Sequence, residues 1–208
     1  MVFTFNNNLK RASSEKGITL IEMLIVIFII ALLSGILMVD FPKIKRQFAL
    51  TRAVYRMNQD LRKIQDMGFS GEQLEGISPK GYGIYINLDD ANLGNKKYIM
   101  YADVDDDQKY TEQTEVICSA QEPNKDCVIE EIDFSQVEVG VFINTIENTT
   151  NGRWVDINFK PPNPTTTITN LATVPSGINR VLVIFTLDSD SSKTRIISIN
   201  TSGLIELK

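Results

Sequence analysis

The sequence has 208 residues, a net charge of −5 and no histidine, and 43% of its residues are hydrophobic. This length suits one domain of ordinary size with an anchor, the hydrophobic fraction excludes wholesale disorder, and the acidic balance argues against a nucleic-acid partner. Without histidine the chain lacks the commonest general base and the commonest metal ligand, so we expect no enzymatic activity.

The N-terminal region contains an apolar run of 22 residues, Ile18–Val39. As a helix this run would extend about 33 Å, enough to cross a hydrocarbon core of about 30 Å. A secretory signal has a shorter apolar core, about 7–15 residues, followed by a small-residue cleavage site. The small pair here, Ser34 and Gly35, lies inside the run. The run therefore predicts a membrane anchor.

Basic residues ahead of the run predict its orientation. Lys and Arg concentrate on the cytoplasmic side of a membrane. The N-terminus should therefore lie inside and the rest of the chain outside, since the segment before the run carries Lys10, Arg11 and Lys16. The basic residues just past the run, between Lys43 and Arg46, favour the opposite orientation, and Asp40 offsets one of their charges.

Glu22 is an acidic residue inside the apolar run. A carboxylate near the bilayer midplane costs about 2.5–3.5 kcal/mol on insertion scales. Two interpretations follow: the side chain reaches the headgroup region, or it is a functional group with a charged partner.

The segment from Lys16 to Leu24, KGITLIEML, resembles the processing motif of type IV prepilins and type II secretion pseudopilins. The resemblance implies that a membrane-embedded prepilin peptidase cuts between Gly17 and Ile18 on the cytoplasmic side and methylates the new amine of Ile18. Phe is usual in the family where this chain has Ile18. Thr19 and Glu22 occupy the family's positions for assembly, where the glutamate is thought to pair with the N-terminal ammonium of a neighbouring subunit.

The resemblance also implies partners and a location. The partners would be other pilin or pseudopilin subunits, the peptidase, a membrane assembly platform and the lipid bilayer. The chain would span the bacterial cytoplasmic membrane once and then enter an extracytoplasmic filament. The alternative is a membrane-anchored extracytoplasmic binding module that does not polymerise. The expected organisation is a cleaved leader (1–17), a membrane-spanning half-helix (18–39), an amphipathic half-helix (40–68) and a β-rich domain (69–208).

The helix is expected to continue past Pro42, with a bend there, to about Met67, and Gly68 is the predicted C-cap. Beyond Pro42, apolar residues recur at helical spacing and predict a stripe facing a globular domain. The stripe consists of Ile44, Phe48, Thr51, Val54, Met57, Leu61 and Ile64.

The region after Tyr82 is rich in β-branched and aromatic residues separated by turn signals. It predicts a mainly antiparallel sheet, and with the helix an α+β fold. We expect the last two strands to form a hairpin and 161–170 to be a surface loop. The predicted strands are 82–86, 97–104, 127–134, 137–146, 154–159, 180–187 and 194–200.

Loose patterns indicate an H-type minor pseudopilin within this family. They are Tyr82–Ile86, Tyr98–Asp103 and the corner Phe159–Pro162. A major pilin or another minor pilin remains the alternative.

Alternating acids after a predicted strand, Asp103, Asp105 and Asp107, point to a calcium loop, because calcium takes six to eight oxygen ligands. Gln108 stands where such a loop usually has glycine. The alternative is a solvated acidic turn.

The two cysteines, Cys118 and Cys127, would form a disulfide if the domain reaches an oxidising compartment, and would otherwise be free thiols.

Overall fold

The computed structural model describes residues 17–74, 76–111, 125–135, 138–149, 152–161, 165–170 and 177–208, with the side chain of residue 39 excepted. The chain divides into two compact units, Met1–Pro42 and Lys43–Lys208. One long helix, α1 (Leu20–Ser70), runs through both units. The strands are β1 (Gly81–Asn87), β2 (Lys97–Asp103), β3 (Cys127–Asp133), β4 (Val141–Glu147), β5 (Trp154–Lys160), β6 (Thr165–Thr169), β7 (Arg180–Leu187), β8 (Asp190–Asn200) and β9 (Ile205–Leu207).

In the first unit, the described apolar side chains of α1 are exposed on every face of the helix. A helix that is apolar all round is suited to a membrane or to the centre of an assembly. By length and composition α1 could cross a membrane, and no part of its apolar window is buried within the protein. Pro42 lies inside the continuous helix, as predicted, and the expected bend there stays a prediction.

In the second unit, one face of α1 is buried from Ala49 onward. The buried residues are Ala49, Leu50, Ala53, Val54, Met57, Leu61 and Ile64. The second half of the predicted stripe is therefore confirmed. The prediction that Ile44 and Phe48 also face the domain is wrong, because these residues remain 48% and 60% exposed. The apolar spacing continues toward the N-terminus beyond the point where the domain begins to cover the helix.

The predicted C-cap at Gly68 is also wrong. The helix continues to Ser70, and Gly71 follows in the left-handed conformation with φ of +61°. Gly68 has a packing role instead: a Cβ there would lie 2.6 Å from the carbonyl oxygen of Phe159 and 2.9 Å from its Cβ. The glycine lets α1 lie directly against β5.

The described strands of the second unit form two antiparallel sheets. One has five strands in the order β3-β2-β1-β5-β6, and the other has four in the order β4-β7-β8-β9. The inward-facing residues of both sheets form one hydrophobic core with α1, including Tyr82, Ile84, Phe159, Val183 and Phe185. The α+β prediction and the C-terminal hairpin of β7 and β8 are confirmed.

The predicted surface loop at 161–170 is wrong over half its length. Thr165–Thr169 forms β6 and pairs with Asp156–Lys160. The prolines between Lys160 and Thr165 favoured a loop, but β-branched threonines suit an edge strand, and β6 is an edge strand. The short β9 was not predicted either.

The outer face of the five-stranded sheet, the face away from α1, is covered by the segment Val104–Thr111. The Gln108 side chain accepts a hydrogen bond from Thr167 of β6, and the Tyr110 backbone N–H donates to Asp156 of β5. Glycines at 81 and 83 leave the first half of β1 without side chains on this face. Side chains from β2 and β5 can therefore meet above β1.

Candidate functional site

The start of α1 is closed by a reciprocal pair of hydrogen bonds between Thr19 and Glu22. The Thr19 backbone N–H donates to Glu22 Oε2 at 2.8 Å, and the Glu22 backbone N–H donates to Thr19 Oγ1 at 3.3 Å. The Thr19 carbonyl accepts the first helical bond, from Met23, at 3.2 Å. This arrangement is a capping box, which satisfies two amides that the helix itself leaves without partners.

A third bond engages the same carboxylate oxygen, because the Thr19 hydroxyl donates to Glu22 Oε2 at 2.9 Å. Among the described residues, Glu22 Oε1 receives no hydrogen bond, and Glu22 is exposed. The carboxylate is thus held on one side and open on the other. The box was missed in the sequence analysis, although a threonine followed three residues later by glutamate is its signature.

The processing residues precede the helix. Gly17 and Ile18 lie ahead of the first turn, and the Ile18 side chain is 74% exposed. A Cβ at Gly17 would meet no atom of the described residues within 4 Å. Nothing in the described part of the chain crowds the bond between these two residues.

A second cluster lies in the other unit, on the outer face of the sheet. Carboxylate oxygens of Asp103, Asp105 and Asp126 lie within 4.8 Å of one another. Asp103 and Asp126 are buried, and Asp105 is exposed. Asp103 and Asp105 belong to the predicted calcium set, and Asp126 takes the place that the prediction gave to Asp107.

Backbone geometry accounts for the change from Asp107 to Asp126. The φ angles of Asp106 and Gln108 are +69° and +62°, both left-handed, so the acids of the loop do not follow a simple alternation. Asp107 Oδ1 accepts the Lys109 backbone N–H at 2.8 Å and lies outside the group. Asp126 is far along the chain, so no local spacing in the sequence signals it.

Burial dominates the electrostatics of the two enclosed acids. Together with a smaller contribution from the neighbouring aspartates, it raises the pKa of Asp103 to about 6 and that of Asp126 to about 7. Backbone N–H groups that bond to each carboxylate act in the opposite direction. Three close carboxylates in this setting favour a proton or a cation.

A buried polar chain continues from Asp103 across β1. Asn158 Nδ2 donates to Asp103 Oδ2 at 3.0 Å, and the Tyr101 hydroxyl donates to Asp156 Oδ1 at 2.5 Å. Burial raises the pKa of Asp156 to about 8. Asp156 and Asn158 alternate with apolar residues along β5, a pattern typical of side chains that face solvent. In the structure, however, the segment Val104–Thr111 covers both side chains. The sequence analysis did not predict this burial.

Only one of the two cysteines in the predicted disulfide lies in the described part of the chain. Cys127 begins β3 and is buried, whereas Cys118 lies outside the described residues. The pairing of the two stays a prediction.

Comparisons with known proteins bear on the N-terminal site. Residues 12–38 match the model of the prokaryotic N-terminal methylation motif. The structure is similar to a crystal structure of the type IV minor pilin FimU from Pseudomonas aeruginosa, with a TM-score of 0.44 and 14% sequence identity, over 76% of this chain and 87% of that one. No curated protein matches the sequence.

The matched segment covers the predicted cleavage site, the capping box and the apolar part of α1. Behind it, the same helix packs on antiparallel sheets in the second unit. The H-type subtype stays a prediction. The chain therefore carries a prokaryotic N-terminal methylation motif at the head of this helix, and in that segment it resembles type IV pilins and pseudopilins.

Proposed function

We propose that this chain is a filament subunit that is cut between Gly17 and Ile18, methylated on the Ile18 amine and assembled from the bacterial cytoplasmic membrane. In the membrane its N-terminus lies inside, and the second unit lies on the extracytoplasmic side. The observation that carries the proposal is the match of residues 12–38 to the methylation motif. The exposed apolar surface of α1 supports it, since that surface needs lipid or other subunits around it.

Glu22 would have two roles in this cycle. In the single chain its Oε2 closes the helix with Thr19. In the filament its Oε1 would accept the methylated ammonium of a neighbouring subunit, so that neither charge is buried alone. A subunit in the wrong register would leave both charges unpaired, and the pair would thus select the register.

Intact-mass analysis of the protein from the native membrane tests the processing step. The expected mass lacks residues 1–17 and includes one additional methyl group. A Gly17→Val variant should keep its leader, and because a side chain at 17 meets no described atom, a loss of cleavage would report on the peptidase rather than on folding. An uncleaved wild-type chain would overturn the proposal.

Filament incorporation is a separate test. Sheared filaments or cross-linked membrane fractions should contain the processed chain together with other subunits, which the assembly platform would add one at a time. A processed chain that is found only as a monomer would instead support the anchored binding module that does not polymerise.

A further inference from the structure

A groove in the second unit lies between α1 and the first half of β8, and its volume is about 440 Å³. One wall belongs to α1, from Ile44 to Thr51, and the other belongs to β8, from Ser192 to Arg195. Arg195 lies on the same face of β8 as the buried Ile197, because alternate residues of a strand share a face. Its side chain is therefore on the side of β8 that faces the helix.

The groove carries positive charge that no acid in its walls offsets. Its cations are Lys193 and Arg195, and Lys208 lines a smaller adjoining cavity of about 240 Å³ that shares Arg195 with it. No carboxylate lines either cavity in the part of the chain that the structure describes. Asp190, at the start of β8, bonds instead to Ser192, whose backbone N–H and hydroxyl donate to its Oδ1 at 3.1 and 2.6 Å. The groove is therefore suited to an anion.

Lys193 and Arg195 also differ from other basic residues of the second unit in their ion pairing. Lys97 and Arg153 each form an ion pair with an acid at 2.8 Å. Among the described residues, neither Lys193 nor Arg195 has a carboxylate within 4.0 Å. A phosphate in the groove would give both a partner, and a guanidinium can hold two phosphate oxygens at once.

The helix wall of the groove is apolar as well as exposed. Ile44 and Phe48 are the stripe residues that the domain leaves uncovered, and both line this groove. A small inorganic anion would leave these side chains in water. A phospholipid has both a phosphate for the two cations and hydrocarbon that would cover the apolar side chains.

The groove is close in the chain to the apolar run. Ile44 follows Val39, the last residue of the run, by five residues. Five residues reach about 8 Å as a helix and at most about 18 Å when fully extended. The headgroup layer on each side of the hydrocarbon core is about 5–8 Å deep. With the run in the membrane, the start of the groove is therefore within reach of lipid headgroups.

We propose that this groove binds an anionic phospholipid of the surrounding membrane, with Lys193 and Arg195 on its phosphate and Ile44 and Phe48 against its hydrocarbon. The inference rests on the membrane insertion in the proposed function and adds to it a lipid class and a binding site. A lipid held there ties β8 to the membrane surface.

Native mass spectrometry of the full-length protein in detergent tests the site, with phosphatidylglycerol and phosphatidylcholine of the same acyl chains in competition. The wild type should bind phosphatidylglycerol in preference. Arg195→Gln should weaken that binding about fivefold and the double variant Lys193→Gln/Arg195→Gln about twenty-five-fold, since each basic residue at an anionic surface contributes a factor of about five. Both side chains are exposed, so the variants should melt like the wild type.

Lys97→Gln/Arg153→Gln is the matched control, because it removes the same two charges from residues outside the groove. Its affinity for phosphatidylglycerol should stay within about twofold of the wild type. The lipid site is overturned if the wild type binds the two lipids equally, if the groove variant retains phosphatidylglycerol, or if the control loses as much as the groove variant.

Two further arms identify other occupants of the groove. Displacement of the lipid by millimolar inorganic phosphate would overturn the proposal in favour of a free anion. Loss of cross-linking between copies in the groove variant, with lipid binding unchanged, would overturn it in favour of a second subunit. The lipid assay requires neither cleavage nor filaments. An uncleaved wild type would therefore count against the proposed processing alone, whereas a cleaved wild type without lipid preference would count against the lipid site alone.

Discussion

Glu22→Gln separates the two roles assigned to the glutamate in α1. Glutamine still accepts the Thr19 N–H, so it retains the capping box, but it carries no charge. Thr19→Ala is the converse change, since it removes the hydroxyl and leaves the carboxylate. Loss of an N-cap side chain costs about 0.5–2 kcal/mol, and that cost falls on the first turn of the helix alone.

The charge has a larger effect. Removing one partner of a buried ion pair costs about 3–5 kcal/mol, because the other charge remains buried and unpaired. If assembly follows this free energy, Glu22→Gln should enter filaments about 150- to 4,000-fold less well than the wild type, and Thr19→Ala at most about thirtyfold less well. A Thr19→Ser variant, which keeps the hydroxyl, should assemble normally.

The assay expresses each variant beside the wild-type subunit and measures the variant fraction in sheared filaments against its fraction in the membrane. Cleavage after Gly17 and the amount in the membrane serve as controls, since neither needs the assembled pair. Normal incorporation of Glu22→Gln would refute the buried ion pair. An equal loss in Thr19→Ala would show that the cap, and not the charge, controls assembly.

Three further changes test the second unit. Gly68→Ala should lower the free energy of unfolding by about 1–2 kcal/mol, because the clash with the Phe159 backbone outweighs the gain in helix propensity. Thermal denaturation measures this loss. Arg52→Ala should lower the midpoint of urea denaturation, because its two bonds of 2.8 and 2.7 Å are made to Glu138, whose buried carboxylate would lose its partner. The pKa of Asp156 is raised by burial to about 8, so its protonated form stabilises the fold at low pH and that contribution is lost as the pH rises toward 8. In EGTA, Asp156→Asn should therefore flatten the fall in stability between pH 4 and pH 8, and an unchanged profile would contradict the assignment.

Periodic patterns in the sequence predicted the long elements of the fold. Most of the predicted strands agree with the structure to within a few residues, because alternation and β-branched residues report on a half-buried strand directly. The C-terminal end of α1 was harder to predict. A glycine at 68 has the appearance of a cap, and only contact with Phe159 shows that it is a packing residue.

The two candidate sites differ in how far sequence could predict them. The N-terminal site is local, and its residues from Gly17 to Glu22 are adjacent in the chain. The acidic site depends on Asp126 and Asn158, which reach Asp103 only through strand pairing and the covering segment. Spacing within one loop could find part of that set, but not the members contributed by other strands.

The glycines of β1 have a consequence for local unfolding. A side chain at Gly83 would clash with the Tyr101 ring, so the polar layer above the first half of β1 exists only because Gly81 and Gly83 have no side chains there. That layer is separate from the apolar core beneath the sheet. Water could therefore enter it when the segment Val104–Thr111 lifts, without exposure of the core. Deuterium should then reach the amides of Tyr110 and Thr111 well before those of Ile84 and Met100, which gives the outer face its own opening equilibrium.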